Sequence, residues 1–432
     1  MKPMLLFLPI LLGTALPAQE PLSIQAAIRR AWADQSGLQA GAALVERAQA
    51  EAEAMRDLRL PTLSLTAGLS RSDEPMAAFG TKLNQARITP NDFTPSILNH
   101  PDPVTGASAL LSLSQPLYAG GRLAAAGRAG AALAESEAAR QGHRMQQVAL
   151  AVDQAYFGAQ VAQQALVWAE DTLTQARETE RFVQARADQG LMLKSEAERT
   201  RAFLAQSEAG VVQARQRLAS ARSALALLLG GAVPEQLETP VAPADAAVPS
   251  LPGQRGDLQA ARAQSEAARE GVTAARASLK PEVGLTLAAG TARNSLSSGG
   301  NWTTVAVGAR WNFSFSDGPR VHAARAAARA AELDLKWQRQ QAGREVQEAR
   351  GDLQAAQARI AFAQVALTAS ESVRTLRTAR HREGLLSLVE VLDAEAALSG
   401  ARTLLLSSQL DWRLSRARLA LALGQPIEDV KE

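Results

Sequence analysis

The sequence predicts a mainly α-helical protein that carries a membrane-type β-barrel segment and is built from one structural unit that occurs twice. Three observations predict it: long proline-free stretches rich in Ala, four short segments of alternating polarity, and landmarks that recur in order in both halves. Apolar residues make up 47% of the 432 residues, but aromatic residues only 4%. This composition is typical of long, closely packed helices rather than of a large globular core.

The residue types present exclude several classes of function. The chain has no Cys, which excludes disulfides, thiolate metal sites, Cys nucleophiles and cysteine-borne lipid anchors. The four His residues are scattered without metal-ligand spacing, and we find no phosphate-binding glycine loop or nucleophile elbow. We therefore expect no enzyme and no catalytic, cofactor-binding or metal site. The net charge of +3, with both signs interspersed, gives no nucleic-acid footprint.

The first residues have the pattern of an export signal, predicted over 1–18. Lys2 supplies a positive start, and residues 4–12 form an apolar stretch too short for an ordinary transmembrane helix. Small residues then lead to a cleavage site after Ala18, with Ala15 as a second candidate. The alternative, a buried N-terminal helix, is opposed by the prolines within the segment. The mature protein is therefore expected outside the cytoplasm.

Matching landmarks indicate an internal duplication. They pair Pro61 with Pro281, Gly190-Leu191 with Gly384-Leu385, and Gly230 with Gly424. The order is the same in both halves, as expected for a repeat. The predicted organisation is a first structural repeat at 19–230, a proline-rich linker at 231–252, a second repeat at 253–424 and a C-terminal tail at 425–432.

Each repeat is expected to contain a helix, a β-hairpin, a very long helix and a returning helix. No proline occurs from Leu117 to Val233 or from Arg320 to Gln425, and apolar residues return at spacings of three and four. A helix from Gly120 to Gly190 would be about 105 Å long and would need a partner along its length. The helix expected at 22–59, followed end to end by the helix after Gly190, supplies one. A spectrin-like bundle is the alternative, but strands at matched positions argue against it.

Four segments alternate apolar with small or polar residues, near 62–71, 107–117, 282–292 and 302–315. This alternation fits a membrane barrel and also fits a sheet half-buried on a soluble core. Four strands cannot close a channel by themselves, and lipid forbids an open strand edge. A membrane-spanning arrangement would therefore require several chains to pool their strands.

Two segments carry a family resemblance. LSQPLYAGGR at 113–122 resembles the strand-to-helix signature of TolC-like outer-membrane efflux proteins, and EGLLSLVEVLDAEAAL at 383–398 resembles the second helical tip of that family. The resemblance implies a homotrimer in the cell outer membrane, with a 12-stranded barrel in lipid continued by a long periplasmic α-helical barrel. It also implies a passive exit duct that docks on an inner-membrane pump through a periplasmic adaptor protein, for efflux or for type I secretion.

The resemblance assigns roles to particular positions. The adaptor-docking tips would be formed by Gly190, Leu191, Gly384, Leu385 and Leu386, and the periplasmic aperture by Glu390 and Asp393, with Glu196 at the equivalent position of the first repeat. Glycine suits a tight turn between antiparallel helices. Carboxylates at i and i+3 share one helix face, and threefold symmetry would make a ring of six. An ordinary turn with buried leucines and a solvated acidic face remain the alternatives.

Some features depart from the family pattern or leave the function open. The second strand exit reads SFSDGPR, which weakens the signature there. The first hairpin loop, Arg71 to Gly106, is long and holds five prolines, whereas the second, Arg293 to Asn301, is short. Long loops belong on the extracellular side, so the first is expected over the pore mouth. A periplasmic adaptor or a coiled-coil structural protein of the envelope is the competing function. The sequence does not identify the transported substrate.

Overall fold

The computed structural model describes residues 21–234, 237–238, 249, 253–294 and 299–427. The predicted signal peptide, most of the predicted linker and residues 428–432 of the tail lie outside the described residues. The described chain is mostly helical with one small sheet, which confirms the coarse fold class. The helices are Ile24–Asp34 (α1), Ser36–Asp57 (α2), Pro75–Asn84 (α3), Pro95–Asn99 (α4), Arg122–Asp188 (α5), Lys194–Leu228 (α6), Gly256–Ala277 (α7), Asp317–Arg382 (α8) and Leu388–Leu423 (α9). The strands are Thr62–Ser72 (β1), Val104–Ala119 (β2), Glu282–Arg293 (β3) and Gly299–Arg310 (β4).

The helix expected at 22–59 is interrupted, so the prediction of one continuous helix is wrong. Gln35 has extended backbone angles and ends α1, where its N–H still donates to the Ala31 carbonyl at 3.0 Å. Immediately before the break, the indole N–H of Trp32 donates to the Met145 carbonyl on α5 at 3.0 Å. The break therefore lies where α1 is bonded to α5, and no proline occurs at it.

The strands form one antiparallel sheet in the order β1-β2-β3-β4. The register aligns apolar residues in rows, for example Leu63, Leu113, Leu287 and Val305 on neighbouring strands. Leu63 and Val305 are 64% and 74% exposed. Because successive side chains point to opposite faces, the sheet has one exposed apolar face and one face of smaller, more polar residues.

The polar face also carries Trp302, a large residue that the alternating pattern did not single out. Ser64 and Ser112 share a hydrogen bond on this face, with 2.7 Å between their Oγ atoms. Further along, the Trp302 ring lies against Gly290, where a Cβ atom would collide with it. Gly290 therefore leaves the space that Trp302 occupies.

The fourth strand is shorter than expected, and the prediction is wrong for its last aromatic residues, Trp311, Phe313 and Phe315. Arg310 pairs with Glu282, the first residue of β3. Pro281 precedes it and has no N–H to continue the ladder. The chain therefore leaves the sheet after Arg310, and the Trp311 indole donates to the Leu279 carbonyl at 3.3 Å.

The long loop expected between the first two strands connects β1 to β2, and it contains short helices of its own. Three of its prolines, Pro75, Pro90 and Pro95, begin α3, a 3₁₀ turn (Pro90–Phe93) and α4. Proline is favoured at the first helical position because its missing N–H would have no partner there. The buried amide of Gln85 donates to the Thr105 and Arg293 carbonyls at 3.0 and 3.2 Å. One side chain thus ties this loop to β2 and to β3.

The described chain divides into two compact units. One is formed by residues up to 40, 142–255 and from 342 onwards, and the other by 41–141 and 256–341. The first unit has a core centred on Ile28, Val152 and Tyr156, and the second contains the whole sheet. Among the described residues, no helix combines the length and the apolarity needed to cross a bilayer.

Candidate docking and aperture site at the helical turns

The turn between α5 and α6 is built around a left-handed glycine. Gly190 has φ +74°, a conformation that costs glycine little. Its N–H donates to the Ala187 carbonyl at 3.0 Å, and the Leu191 N–H donates to the Arg186 carbonyl at 2.9 Å. This pair of bonds is a Schellman motif, which satisfies carbonyls left over at the end of α5.

The turn between α8 and α9 repeats this geometry. Gly384 has φ +78°, its N–H donates to the His381 carbonyl at 3.0 Å, and the Leu385 N–H donates to the Arg380 carbonyl at 2.9 Å. The two Gly-Leu pairs paired in the sequence therefore occupy identical positions in identical turns. The turn requires left-handed backbone angles at this position, and residues other than glycine adopt them only with strain.

The leucines at these turns differ in exposure. Leu191 is 70% exposed and Leu385 is 71% exposed. Leu386, expected to be exposed as well, is half-buried, because its carbonyl is held by the buried ring of His381 at 2.9 Å. Leu193, which the sequence analysis did not single out, is 68% exposed. Its position in the sequence, three residues after Gly190 and immediately before α6, could have predicted this exposure.

A small core brings the two turns together. Val183 on α5, Ala197 on α6 and Leu388 on α9 are buried in one cluster. Phe182, Ala187, Met192 and Leu392 pack against them as half-buried residues. The exposed leucines therefore lie at the end of a packed helical unit and not on isolated hairpins.

The three candidate aperture carboxylates lie close after the turns. Glu196 and Glu390 are half-buried in the first turns of α6 and α9, where the helix dipole favours a negative charge. Asp393 is exposed, one turn further along α9. Within the described part of the chain, none of the three forms a salt bridge. The Arg377 guanidinium donates to the backbone carbonyl of Glu390 at 3.1 Å, which leaves that carboxylate unneutralised.

A buried ionic network on the same helices was missed by the sequence analysis. The Glu395 carboxylate on α9 lies 3.4 Å from the Arg374 guanidinium on α8, and both side chains are largely buried. On the next turns of α9, Arg402 pairs with Asp171 on α5 at 2.9 Å and stacks over the Trp168 ring. Periodicity alone does not reveal such a network, since charged residues are frequent on all these helices.

Burial controls the protonation of Glu395. Desolvation raises the pKa of its carboxyl, Arg374 and Arg402 act to lower it, and Asp171 acts to raise it again. Desolvation is the largest of these effects, so burial disfavours the ionised form of the Glu395 carboxyl. Among the described residues, no group of three or more His, Asp or Glu side chains could hold a metal ion.

The fold is shared with bacterial outer-membrane proteins of known structure. A crystal structure of CusC superposes with a TM-score of 0.79 at 23% identity, covering 93% of this chain and 92% of CusC. The structure of VceC, an outer membrane protein from Vibrio cholerae, gives a TM-score of 0.78 at 21% identity, covering 94% and 97% of the two chains. The described chain therefore has the fold of these two proteins.

The sequence comparisons define the family. The profile described as "Outer membrane efflux protein" matches residues 27–231 and 249–425. The chain belongs to this family, which confirms the resemblance and the outer-membrane localisation predicted from the sequence.

Two curated relatives agree with this assignment. The cation efflux system protein CusC of Escherichia coli K12 is 30% identical over 315 residues, and the solvent efflux pump outer membrane protein SrpC of Pseudomonas putida is 28% identical over 315 residues. In both cases the matched segment spans 68% of this chain and 66% of the relative.

Proposed function

We propose that this chain is a passive exit duct in the outer membrane, which carries substrates delivered by an inner-membrane pump and a periplasmic adaptor. The observation that carries the proposal is the family match across both halves of the chain. The duct performs no chemistry of its own. Its work is to provide a path through the outer membrane and a surface to which the rest of the system attaches.

The sheet supports a shared barrel. β1 and β4 are its edge strands, and its apolar rows are exposed. Backbone groups at a strand edge cannot remain unpaired in lipid, so a spanning sheet needs further strands at both edges. Three copies would supply twelve strands and close the barrel, with the apolar face toward lipid and the polar face toward the lumen.

An exposed apolar face on α8 supports association with further copies of the chain. Phe362, Val365 and Leu376 are 72%, 70% and 53% exposed, and their spacing places them on one side of the helix. Exposed apolar side chains that follow one helical face are typical of an interface. We assign this face to contacts between copies in a homotrimer.

The two turns support docking of an adaptor. Leu191 and Leu385 are exposed at two equivalent glycine turns, and these turns share a common core. Apolar side chains on a rigid support offer a partner a surface with little ordering cost. The carboxylates of Glu390, Asp393 and Glu196 would form the aperture, where charges without ion-pair partners favour cations.

The substrate is chosen elsewhere in the system. The relatives carry names that refer to cations in one case and solvents in the other. A wide duct leaves this selection to the pump. We favour efflux over type I secretion because the matched relatives are efflux proteins. The alternatives of an adaptor or a coiled-coil envelope protein are not favoured for the same reason.

The natural absence of Cys makes a direct test simple. Leu191→Cys and Leu385→Cys variants would be treated with a short crosslinker in cells that express the cognate adaptor and pump. We expect an outer-membrane protein with heat-modifiable gel migration that captures the adaptor, whereas Leu44→Cys, an exposed position on α2, captures none. Recovery in the soluble fraction would refute the duct. Export without any capture at either turn would refute the docking surface.

A further inference from the structure

Helix α3 crosses the end of the sheet at which β1 and β2 are joined. It begins at Pro75, three residues after the end of β1, and it ends at Asn84. The Thr81 methyl group lies against Gly106 on β2, and the Asn84 carbonyl oxygen lies against Gly300 on β4. A Cβ atom at either glycine would collide with α3. The helix therefore passes close to the sheet at both of these strands.

The length of α3 matches the width of the sheet. Its ten residues rise about 15 Å. Four strands are separated by three spacings of about 4.8 Å, which together make about 14 Å. The amide of Gln85, immediately after the helix, is bonded to β2 and β3. The helix therefore extends from one edge strand of the sheet to the other.

At the β4 edge, the chain leaves α3 through a strained residue. Ala86 lies beside Gly300 and has φ +55°, and among the described residues it is the one residue other than glycine with a positive φ. Such angles cost a residue with a Cβ atom energy, and strain of this kind is concentrated at functional sites. The next residue is Arg87. Its Nε atom is buried, and no hydrogen-bond partner for this atom lies within the described ranges.

At the β1 edge, the chain carries the opposite charge. Asp73 and Glu74 lie between the end of β1 and the start of α3, and both are exposed. Neither carboxylate forms a salt bridge in the part of the chain that the structure describes. Glu74 is the N-cap residue of α3, yet its side chain makes no capping hydrogen bond. Both carboxylates are therefore available to a partner.

Each end of α3 also exposes an apolar side chain. Met76 in the first turn is 78% exposed, and Leu83 in the last turn is 56% exposed. Residues seven apart share one helix face, and here that face is opposite to Thr81 and Gln85, which contact the sheet. We define the basic end of α3 as Leu83 and Arg87, and the acidic end as Asp73, Glu74 and Met76.

We propose that α3 forms an interface between copies of this chain, in which the basic end of one copy contacts the acidic end of the next. The proposal rests on the shared barrel of the proposed function, because pairing β4 of one copy with β1 of the next brings these two ends side by side. Contacts between two different surfaces close into a ring when a rotation axis relates the copies. Three α3 helices then form a head-to-tail ring at the extracellular rim of the barrel.

Crosslinking between two singly substituted chains tests the contact. Met76→Cys and Leu83→Cys chains would be co-expressed, and outer membranes would be treated with a crosslinker shorter than α3; the natural chain has no Cys. We expect a covalent dimer. Either variant expressed alone should give none, because equivalent residues in the ring lie at least one helix length, about 15 Å, apart. A chain with both substitutions should give a covalent trimer.

A third position in the same loop provides the matched control. Phe93 is 59% exposed, but its ring packs against Phe79 in the middle of α3, with 5.8 Å between the ring centroids. Phe93→Cys co-expressed with Met76→Cys should therefore give no more dimer than either variant alone.

Charge reversal tests the ionic contact without cysteine variants. Arg87→Glu brings like charges together across each contact, so the trimer should dissociate on a gel at a lower temperature than the natural trimer. Adding Glu74→Arg should restore most of this loss, because opposite charges are again adjacent. Asp102→Arg reverses another exposed acid of the loop, next to the inner strand β2, and should not restore it.

The outcomes separate the α3 interface from the duct. A heat-modifiable trimer that gives no dimer from the co-expressed variants, with no restoration by Glu74→Arg, would overturn the interface and leave the duct intact. Lipid or water then covers this face of α3. A dimer from either single variant would overturn the head-to-tail order. Recovery of a soluble monomer would overturn both the interface and the proposed function.

Discussion

Asp92 closes the 3₁₀ turn in the loop between β1 and β2. Lys82 Nζ lies 2.8 Å from one carboxylate oxygen, and the N–H and hydroxyl of Thr89 donate to the other at 2.8 Å each. The bond from Lys82, followed by those from Thr89, lowers the pKa of Asp92 from 3.8 to about 2. These bonds therefore stabilise the folded loop fully at pH values above the unfolded pKa of Asp92. The stabilisation is lost only as the pH falls through the folded pKa of about 2.

This loop should consequently resist acid proteolysis. At about pH 3, between the folded and unfolded pKa values of an aspartate bonded in this way, pepsin should leave the natural loop intact and cleave Asp92→Asn within residues 75–100. The amide cannot accept the bonds to Lys82 and Thr89 in the same manner. Glu74→Gln, in the same loop, serves as the control. Equal cleavage of the natural protein and Asp92→Asn would contradict the role of the carboxylate.

Glu395 should show the opposite dependence on pH. Its folded-state pKa is raised chiefly by burial, so the ionised carboxyl destabilises the fold fully at pH values above the folded pKa. This cost shrinks as the pH falls through the folded pKa and is gone below the unfolded pKa. We expect Glu395→Gln to melt above the natural protein at about pH 8, where carboxyl groups are ordinarily ionised, and we expect the difference to shrink as the pH falls towards the ordinary carboxyl range. Asp411→Asn, a half-buried acid on α9 that pairs with Arg359 on α8, controls for the loss of an ion-paired carboxylate. A lower melting temperature of Glu395→Gln at high pH would mean that the Arg374 pair outweighs desolvation.

At the scale of the element, the strands have two chemically distinct faces. Leu65 and Leu285 belong to the apolar face, and Thr66 and Thr286 to the other. Leu65 is 70% exposed in the single chain. Lipid can cover such an apolar face without a protein partner. We therefore expect the apolar face to reject charged substitutions that the polar face tolerates.

Arginine substitutions test this assignment. Leu65→Arg or Leu285→Arg should impair assembly, with a cost of about 2–4 kcal/mol per chain near the membrane midplane. Thr66→Arg and Thr286→Arg are the matched controls, and they should be tolerated because the lumen is wet. Outer-membrane yield and heat-modifiable migration would be compared. The barrel assignment fails if both faces tolerate arginine equally.

Element boundaries show where local sequence rules suffice and where they do not. The glycines of the two turns were predictable because the left-handed conformation strongly favours glycine. The prolines of the first loop indicate only a loop, although three of them stand at the first positions of short helices. The end of β4 at Arg310 depends on where its neighbour starts, so a pattern within the strand itself could not reveal it.

The same limit applies to the candidate site. Gly190, Gly384 and the exposed leucines beside them follow from sequence spacing. The inward position of Leu386 depends on an imidazole bond that spans the turn, and the ionic network around Glu395 joins three helices. Such contacts are fixed by packing between distant segments. Local periodicity therefore identifies the helices but not which charges become buried between them.

At the scale of the whole molecule, the acidic residues after the second turn should control ion passage in the proposed trimer. Six carboxylates around one axis attract multivalent cations strongly. In planar bilayers we expect small, cation-selective conductance that is blocked by trivalent cations added from the periplasmic side. The double variant Glu390→Ala with Asp393→Ala should lose the block and part of the selectivity.

A matched double variant makes the result specific. Glu46→Ala with Glu53→Ala removes two exposed carboxylates from α2 and should leave conductance and block unchanged. Heat stability of the assembled protein should be the same in all three forms. If the Glu390 and Asp393 double variant is blocked as strongly as the natural protein, the constriction lies elsewhere and these residues are a solvated helix face.

The pairing of β2 with β3 sets an order of events during biogenesis. The partners Leu113 and Leu287 belong to different repeats, whereas β1 and β2 are neighbours in sequence. A chain exported from its N-terminus therefore completes the first hairpin while β2 still waits for a strand that has not yet crossed the inner membrane. Gln85 marks the same delay, since its Thr105 acceptor is present early and its Arg293 acceptor arrives late. Throughout that interval β2, the longest of the described strands, has an unpaired edge with which a foreign chain can pair.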